Sequence, residues 1–148
     1  MSSIVERALR LWTEPLPEGR AALDAFRGVY SDPLAVNGEP APLQLLVDRA
    51  RMLQSALEGV RVDIQEQFAA PGRHAFAFQM SGRHVRPLVT PLGEVVPSGA
   101  EVSWAGLDIF IVDEEDRVTG VWAIADLLTL LMQADAVALR VRPARKST

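Results

Sequence analysis

Three side chains of this chain stand where proton-transfer chemistry would need them: Asp108, Asp126 and His84. Asp108 lies in the middle of Gly106-Leu107-Asp108-Ile109-Phe110-Ile111. Its neighbours at even spacing are Phe110 and Val112, with Trp104 two positions before Gly106. A carboxylate in such company loses water, its pKa rises, and it becomes suited to acid/base work near neutrality. The alternative is an outer-face residue or the partner of a nearby arginine. Asp126 follows Val118, Gly120, Trp122 and Ile124 at even spacing and precedes Leu127-Leu128. Two readings stand: a general base at the closed end of an apolar pocket, or the N-cap of an apolar helical turn. His84 continues the even row of Phe76, Phe78 and Met80. It either points into the same interior or ends its strand against water or a backbone carbonyl. Trp104, Trp122, Phe76, Phe78, Phe110 and Met80 supply the apolar surface, as core residues or as pocket walls.

Composition removes most competing chemistries. Among 148 residues there is no cysteine, so thiol nucleophiles, thiolate metal sites and disulfides are absent. The one lysine, Lys146, is the third residue from the end, which leaves no Schiff-base candidate inside the fold. Two histidines ten residues apart on one strand would be about 33 Å from each other, too far to share a metal. No phosphate-cradling glycine loop, HExxH or GxSxG motif occurs. A structural or catalytic zinc site is therefore not expected. Four of the fifteen cations fall in the last nine residues, so the first 139 carry 11 − 19 = −8. So acidic a body repels phosphate backbones, and nucleic acid is not an expected partner. No apolar run has the length of a bilayer span and no signal-peptide core precedes the first helix, so a cytoplasmic location is expected and a membrane is not.

The elements that must position these residues fall into a helical first part and a strand-rich second part. Ile4, Val5, Ala8, Leu9, Leu11 and Trp12 repeat at helical spacing until Pro15 and Pro17. A second helix is expected from about Glu18 to Tyr30, then a turn at Ser31-Asp32-Pro33 and a short strand Leu34–Val36 closed by Asn37-Gly38. A third helix is expected from Pro42 to Glu58, with Leu46, Ala50, Leu53 and Leu57 as its seam and Gly59 as its stop. From Val60 the period becomes two, with Val60, Val62, Ile64 and Phe68 on one face. Strands are expected at 74–80, 102–112 and 118–125. Residues 86–100 form an irregular connection or a proline-interrupted hairpin, and an acidic turn falls at Asp113–Asp116. Leu127–Gln133 is apolar all round and reads as a short buried segment. Helices first and an antiparallel meander after them describe one α+β domain over residues 1–139, with a basic, flexible tail at 140–148.

The order of these strings resembles the SnoaL-like polyketide cyclases, also called ester cyclases, within the nuclear-transport-factor-2-like cone fold. The resemblance runs from about Ala21 to Ala134. It rests on Ser81-Gly82-Arg83-His84, then Pro97-Ser98-Gly99, Asp108-Ile109, Val121-Trp122-Ala123-Ile124-Ala125-Asp126 and Leu130-Leu131-Met132-Gln133, in that order. It implies a cone-shaped roll of curved, mainly antiparallel sheet wrapped by three N-terminal helices around an apolar pocket, and commonly a homodimer. It also implies that Asp126, in the Trp-x-x-x-Asp string, is the acid/base and that His84 matches the family's glycine-x-histidine. The reaction would be an intramolecular aldol on an apolar small molecule, without a cofactor. The family's His-Arg pair is Phe110-Ile111 here, the residue before the tryptophan is Val121, and Ala100 follows Pro-Ser-Gly. One pocket wall thereby loses its polar groups.

Two functions of different class follow from the residues and the resemblance. One is a cofactor-independent cyclase or isomerase acting on a polyketide- or terpenoid-like molecule, with Asp126 as base and His84 or Asp108 assisting. An isomerase of the ketosteroid kind would want a phenol donor, and Tyr30 is the only tyrosine. The other is a non-catalytic binder of apolar ligands or a dimeric scaffold, in which Asp126 caps the last turn.

Overall fold

The computed structural model describes residues 2–138 together with 140, 142, 144 and 145. Most of the stretch expected to be a flexible tail lies outside these residues. The elements in chain order are α1 (Ile4–Thr13), α2 (Arg20–Arg27), β1 (Tyr30–Val36), β2 (Glu39–Ala41), α3 (Gln44–Ala56), β3 (Leu57–Ala70), β4 (Arg73–His84), β5 (Leu88–Thr90), β6 (Gly93–Val95), β7 (Glu101–Val112), β8 (Val118–Ala125) and α4 (Leu127–Gln133). The α+β architecture is the expected one.

Local chemistry sets the boundaries. Ser3 caps α1 by accepting from the Glu6 N–H while Glu6 reaches back to the Ser3 N–H, a reciprocal capping box. Asn37 and Gly38 both adopt positive φ in the tight turn between β1 and β2, the conformation that an Asn-Gly pair accepts at least cost. Asp113 Oδ1 accepts from the N–H groups of Glu115 and Arg117 and so closes the acidic turn between β7 and β8. The proline-rich stretch takes the hairpin alternative, with β5 and β6 paired antiparallel.

Several boundaries move. The second helix stops at Arg27, and Tyr30 opens β1 instead of ending the helix. The Asp32-Pro33 peptide is cis, and strand β1 continues through it rather than starting at Leu34. Leu57 is the first residue of β3 instead of the last turn of α3. In α4 only Leu130 and Leu131 are buried; Leu128 and Met132 face solvent, so the segment is amphipathic rather than enclosed.

Six strands form one sheet in the order β2-β1-β8-β7-β4-β3, in which only the β1–β8 pair is parallel. One face packs on α1, α2 and α3. Along β4 and β7 the even positions turn inward, as their alternation predicts: Phe76, Phe78 and Met80 opposite Asp108, Gly106 and Trp104. The aromatic core is continuous from helix to sheet. Phe26 stacks on Tyr30 at 5.7 Å, Tyr30 meets Phe110 edge-on at 6.2 Å, and Phe110 meets Phe76 edge-on at 4.9 Å. Gly106 makes this packing possible, because a Cβ there would come within 2.2 Å of the Phe78 ring.

Two bulges decide which side chains face the core. On β8, Ile111 pairs with Gly120 but Val112 pairs with Val118, so Thr119 is an extra residue. Beyond it the alternation is inverted, and Val121 rather than Trp122 opposes Phe110 on the inner face. On β3, Ile64 pairs with Phe78 but Glu66 pairs with Ala77, so Gln65 is the extra residue. Phe68, placed on the buried face by its even spacing, is 70% exposed as a result.

Candidate active site

Helices and sheet leave between them a cavity of about 240 Å³. The buried side chains of Tyr30, Leu46, Phe78, Met80, Trp104, Phe110 and Val121 form its floor. Leu9 and Trp12 close it from α1, and Leu46, Arg49 and Leu53 from one stripe of α3. Arg49 and the end of β8 are exposed and form its mouth.

Among the described residues Asp108 is the only carboxylate on this lining. Inward parity on β7 puts it there, across from Phe76 on β4 and Ala123 on β8. Among the described residues its carboxylate has no hydrogen-bond or ion-pair partner, and loss of water alone raises its pKa to about 7. A group balanced between its two protonation states at neutral pH both takes and returns a proton readily.

Tyr30 lines the same cavity. Its hydroxyl oxygen accepts the Trp12 indole N–H at 3.3 Å, and its own proton has no acceptor among the described residues. Burial pushes the phenol well above its usual range, the Trp12 hydrogen bond draws it part of the way back, and the nearby Asp108 charge raises it further. Tyr30 therefore remains a phenol, a donor polarised by the indole behind it and aimed at an otherwise apolar space.

The other two acid/base candidates stand elsewhere. Asp126 is exposed at the N-cap of α4, accepting from the Thr129 N–H at 3.1 Å and from its hydroxyl at 2.5 Å. These bonds, the hydroxyl's first, hold its carboxyl below the usual range. It does not line the cavity, which follows from the Thr119 bulge: the parity that would aim it inward is reversed one strand length earlier. His84 is 1% exposed at the end of β4, where Nδ1 lies 3.2 Å from both the Ser98 N–H and the Ser98 hydroxyl. A backbone N–H only donates, so Nδ1 accepts and the neutral ring carries its proton on Nε2, which is buried without a partner among the described residues. His84 ties the proline-rich loop to the sheet and does not line the cavity.

Of the expected pocket residues, Tyr30, Phe78, Met80, Trp104 and Phe110 line the cavity. Phe76 is fully buried behind it. Trp122 is half-exposed on the other face, its ring against the turn at Gly38. Trp12 and Arg49 joined the lining without a signal of site function in the sequence. Trp12 reads as one more apolar residue of the first helix, and Arg49 as surface charge, although its i+3 and i+4 spacing from Leu46 and to Leu53 marks it as sharing their stripe. Among the described residues no group of three or more His, Asp or Glu stands close enough to hold a metal ion.

A family model described as SnoaL-like polyketide cyclase matches residues 6–134. Among solved structures, TsrD from Streptomyces laurentii superposes with a TM-score of 0.75 at 20% identity, over 90% of this chain and 93% of that one. A SnoaL-like polyketide cyclase from Agrobacterium tumefaciens superposes with a TM-score of 0.66 at 15% identity, over 90% and 98%. No curated protein matches the sequence.

Proposed function

Because the chain belongs to the SnoaL-like polyketide cyclase family, with that family's cone fold, we propose that its cavity enolises a compact apolar carbonyl compound, with Asp108 as the proton-transfer group. The observation that carries this reading is the pairing of Asp108, unpartnered and desolvated, with the free Tyr30 proton in one apolar cavity. The Asp108 carboxylate takes a proton from the carbon beside a ketone or ester carbonyl. The C–H electron pair forms the enolate C=C bond, and the carbonyl π pair moves onto oxygen. The Tyr30 O–H donates to that oxygen, in a low-dielectric site where one fixed donor counts for more than it would in water. Two outcomes keep atoms and charge in balance. The enolate carbon attacks a second carbonyl of the same molecule, forming a C–C bond while the new alkoxide recovers the proton from Asp108. Alternatively, Asp108 returns the proton to a different carbon, giving an isomer. Neither route draws on a cofactor.

Cavity size narrows the substrate. At about 240 Å³ the space lies below the usual range of small-molecule pockets, about 300–1,000 Å³. It favours one or two rings over an extended polycycle. The test is exchange of enolisable protons of 2-tetralone into deuterated water, followed by NMR with wild-type protein and Asp108→Asn. Catalysed exchange that Asp108→Asn abolishes supports the reading; exchange unaffected by that substitution removes it.

For assembly we propose a homodimer through the outer sheet face. Leu107, Ile109, Trp122 and Ile124 are exposed there in neighbouring register, flanked by Ala75, Ala77 and Ala105. That run itself carries no charge on a body of −8, while Glu66 beside Ala77 and Asp63 beside Gln79 border it on β3, so two such acidic chains can meet there with apolar surface at the centre and carboxylates at the rim.

A further inference from the structure

Among the described residues Arg49 is the one cation on the cavity lining. It shares a stripe of α3 with Leu46, three residues before it, and Leu53, four after, both of which line the same space, while Arg49 itself is exposed at the rim. Six of the nine arginines of the helices and strands are engaged: Arg7 with Asp116, Arg27 with Asp24 and Asp32, Arg51 with the carbonyls of Pro17 and Gly19, Arg61 with Glu101, Arg73 with the Gly72 carbonyl and Arg83 with the Gly99 carbonyl; of the other three, Arg10, Arg20 and Arg49, only Arg49 lines the cavity. Arg49 has no hydrogen-bond or ion-pair partner among the described residues. Nor does it neutralise Asp108. No ion pair joins the two, and the Asp108 carboxyl responds to burial without a compensating positive charge. A free guanidinium at the mouth and a proton-transfer pair deeper in thus stand apart, across apolar walls.

We propose that Arg49 recognises a carboxylate on the substrate, so that the compound entering the cavity is an apolar keto acid whose carbonyl reaches Asp108 and Tyr30 while its carboxylate stays at the mouth. This rests on the cavity's being the substrate site. The guanidinium fork matches a planar carboxylate through two parallel N–H···O bonds. A singly charged group is favoured over a phosphate, because the surrounding body is strongly acidic and the mouth offers one cation among the described residues. Placement at the mouth also keeps the carboxylate partly hydrated, so its desolvation does not cancel the attraction.

The proposal is tested by calorimetric titration with 2-naphthylacetate and its uncharged counterpart 2-naphthylacetamide at pH 6 and low salt. The wild-type protein should bind the acid at least tenfold more tightly than the amide. Arg49→Gln should bring the two affinities together while leaving that for the amide unchanged. Arg49→Lys, which keeps the charge and loses the fork, should retain only part of the preference. Equal affinities in the wild type, or a preference that survives Arg49→Gln, would overturn the role of Arg49 and leave the cavity standing. Failure of both probes to bind would overturn the cavity as a ligand site, and Arg49 with it. No turnover is measured, so loss of the Asp108 chemistry would leave this result untouched.

Discussion

The Trp12 indole N–H donates to the Tyr30 hydroxyl oxygen at 3.3 Å, and this leaves the Tyr30 proton free to face the cavity. The two are eighteen positions apart in sequence, with the whole of α2 between them. Helix α1 is folded back across the sheet to bring them together, so the phenol is oriented by an element that carries no acid/base residue into the cavity.

Removing that proton tests its part in the reaction. Tyr30→Phe keeps the ring that stacks on Phe26 and meets Phe110, so Tm should change little. With the donor to the enolate oxygen gone, kcat should fall by about 10²–10³-fold. Trp12→Phe should have a smaller effect of the same sign. Thermal melts and steady-state kinetics on both variants check this; unchanged kcat in Tyr30→Phe refutes the donor role.

For Asp108 the pH dependence has a definite sign in activity and in stability. As a base it must be ionised, so kcat/KM should rise about tenfold per pH unit below pH 7 and level off above it. Asp108→Asn should lower kcat/KM by roughly 10²–10⁴-fold.

The folded carboxyl titrates near 7, the unfolded one near 3.8. Between these values the folded chain holds a proton that the unfolded chain has lost, so stability is fully present below about pH 4 and declines as pH rises to about 7. Asp108→Asn removes that decline. It should be the more stable protein at pH 8, by roughly 2 kcal/mol after allowance for solvent at the cavity mouth. Urea melts at pH 5 and pH 8 measure it; equal differences at the two pH values would show that Asp108 is not desolvated.

Asp126 offers the contrasting experiment. Asp126→Ala deletes the bonds to Thr129 that cap α4, so a modest loss of Tm is expected with proton exchange in the cavity retained. Loss of turnover at unchanged Tm would return the acid/base role to Asp126.

Gly106 should not tolerate a side chain. A Cβ at 2.2 Å from the Phe78 ring forces that ring off its position at the cavity floor, so Gly106→Ala should cost about 1–3 kcal/mol. Pairing it with Phe78→Leu should recover part of the loss, and the double-mutant cycle measures the coupling.

Assembly is checked by sedimentation. Leu107→Glu places a charge in the uncharged outer run and should convert the dimer to monomer without changing the cavity. A wild-type protein that sediments as a monomer would remove the dimer.

Much of this protein was already determined along the chain. Alternation at Phe76, Phe78, Met80, Trp104, Asp108 and Phe110 put the right side chains on the inner face of two strands. The first three helices came from their periodicity, although the stop expected at Gly59 lies inside β3, and the α+β class came from element order. Those are local properties, carried by residues two to four positions apart.

Alternation cannot carry across an inserted residue, however. Thr119 and Gln65 look like ordinary strand residues, and only pairing with the neighbouring strand reveals each as a bulge. Past those points every inward assignment is reversed: Trp122 and Phe68 go to solvent, and Asp126 leaves the interior for a helix cap. The environment that raises the Asp108 pKa, the indole behind Tyr30 and the unpartnered Arg49 likewise exist only where distant segments converge. Which residues can transfer protons was decided by composition; which of them is dry enough to do so near neutrality was decided by the packing of three helices on a bulged sheet.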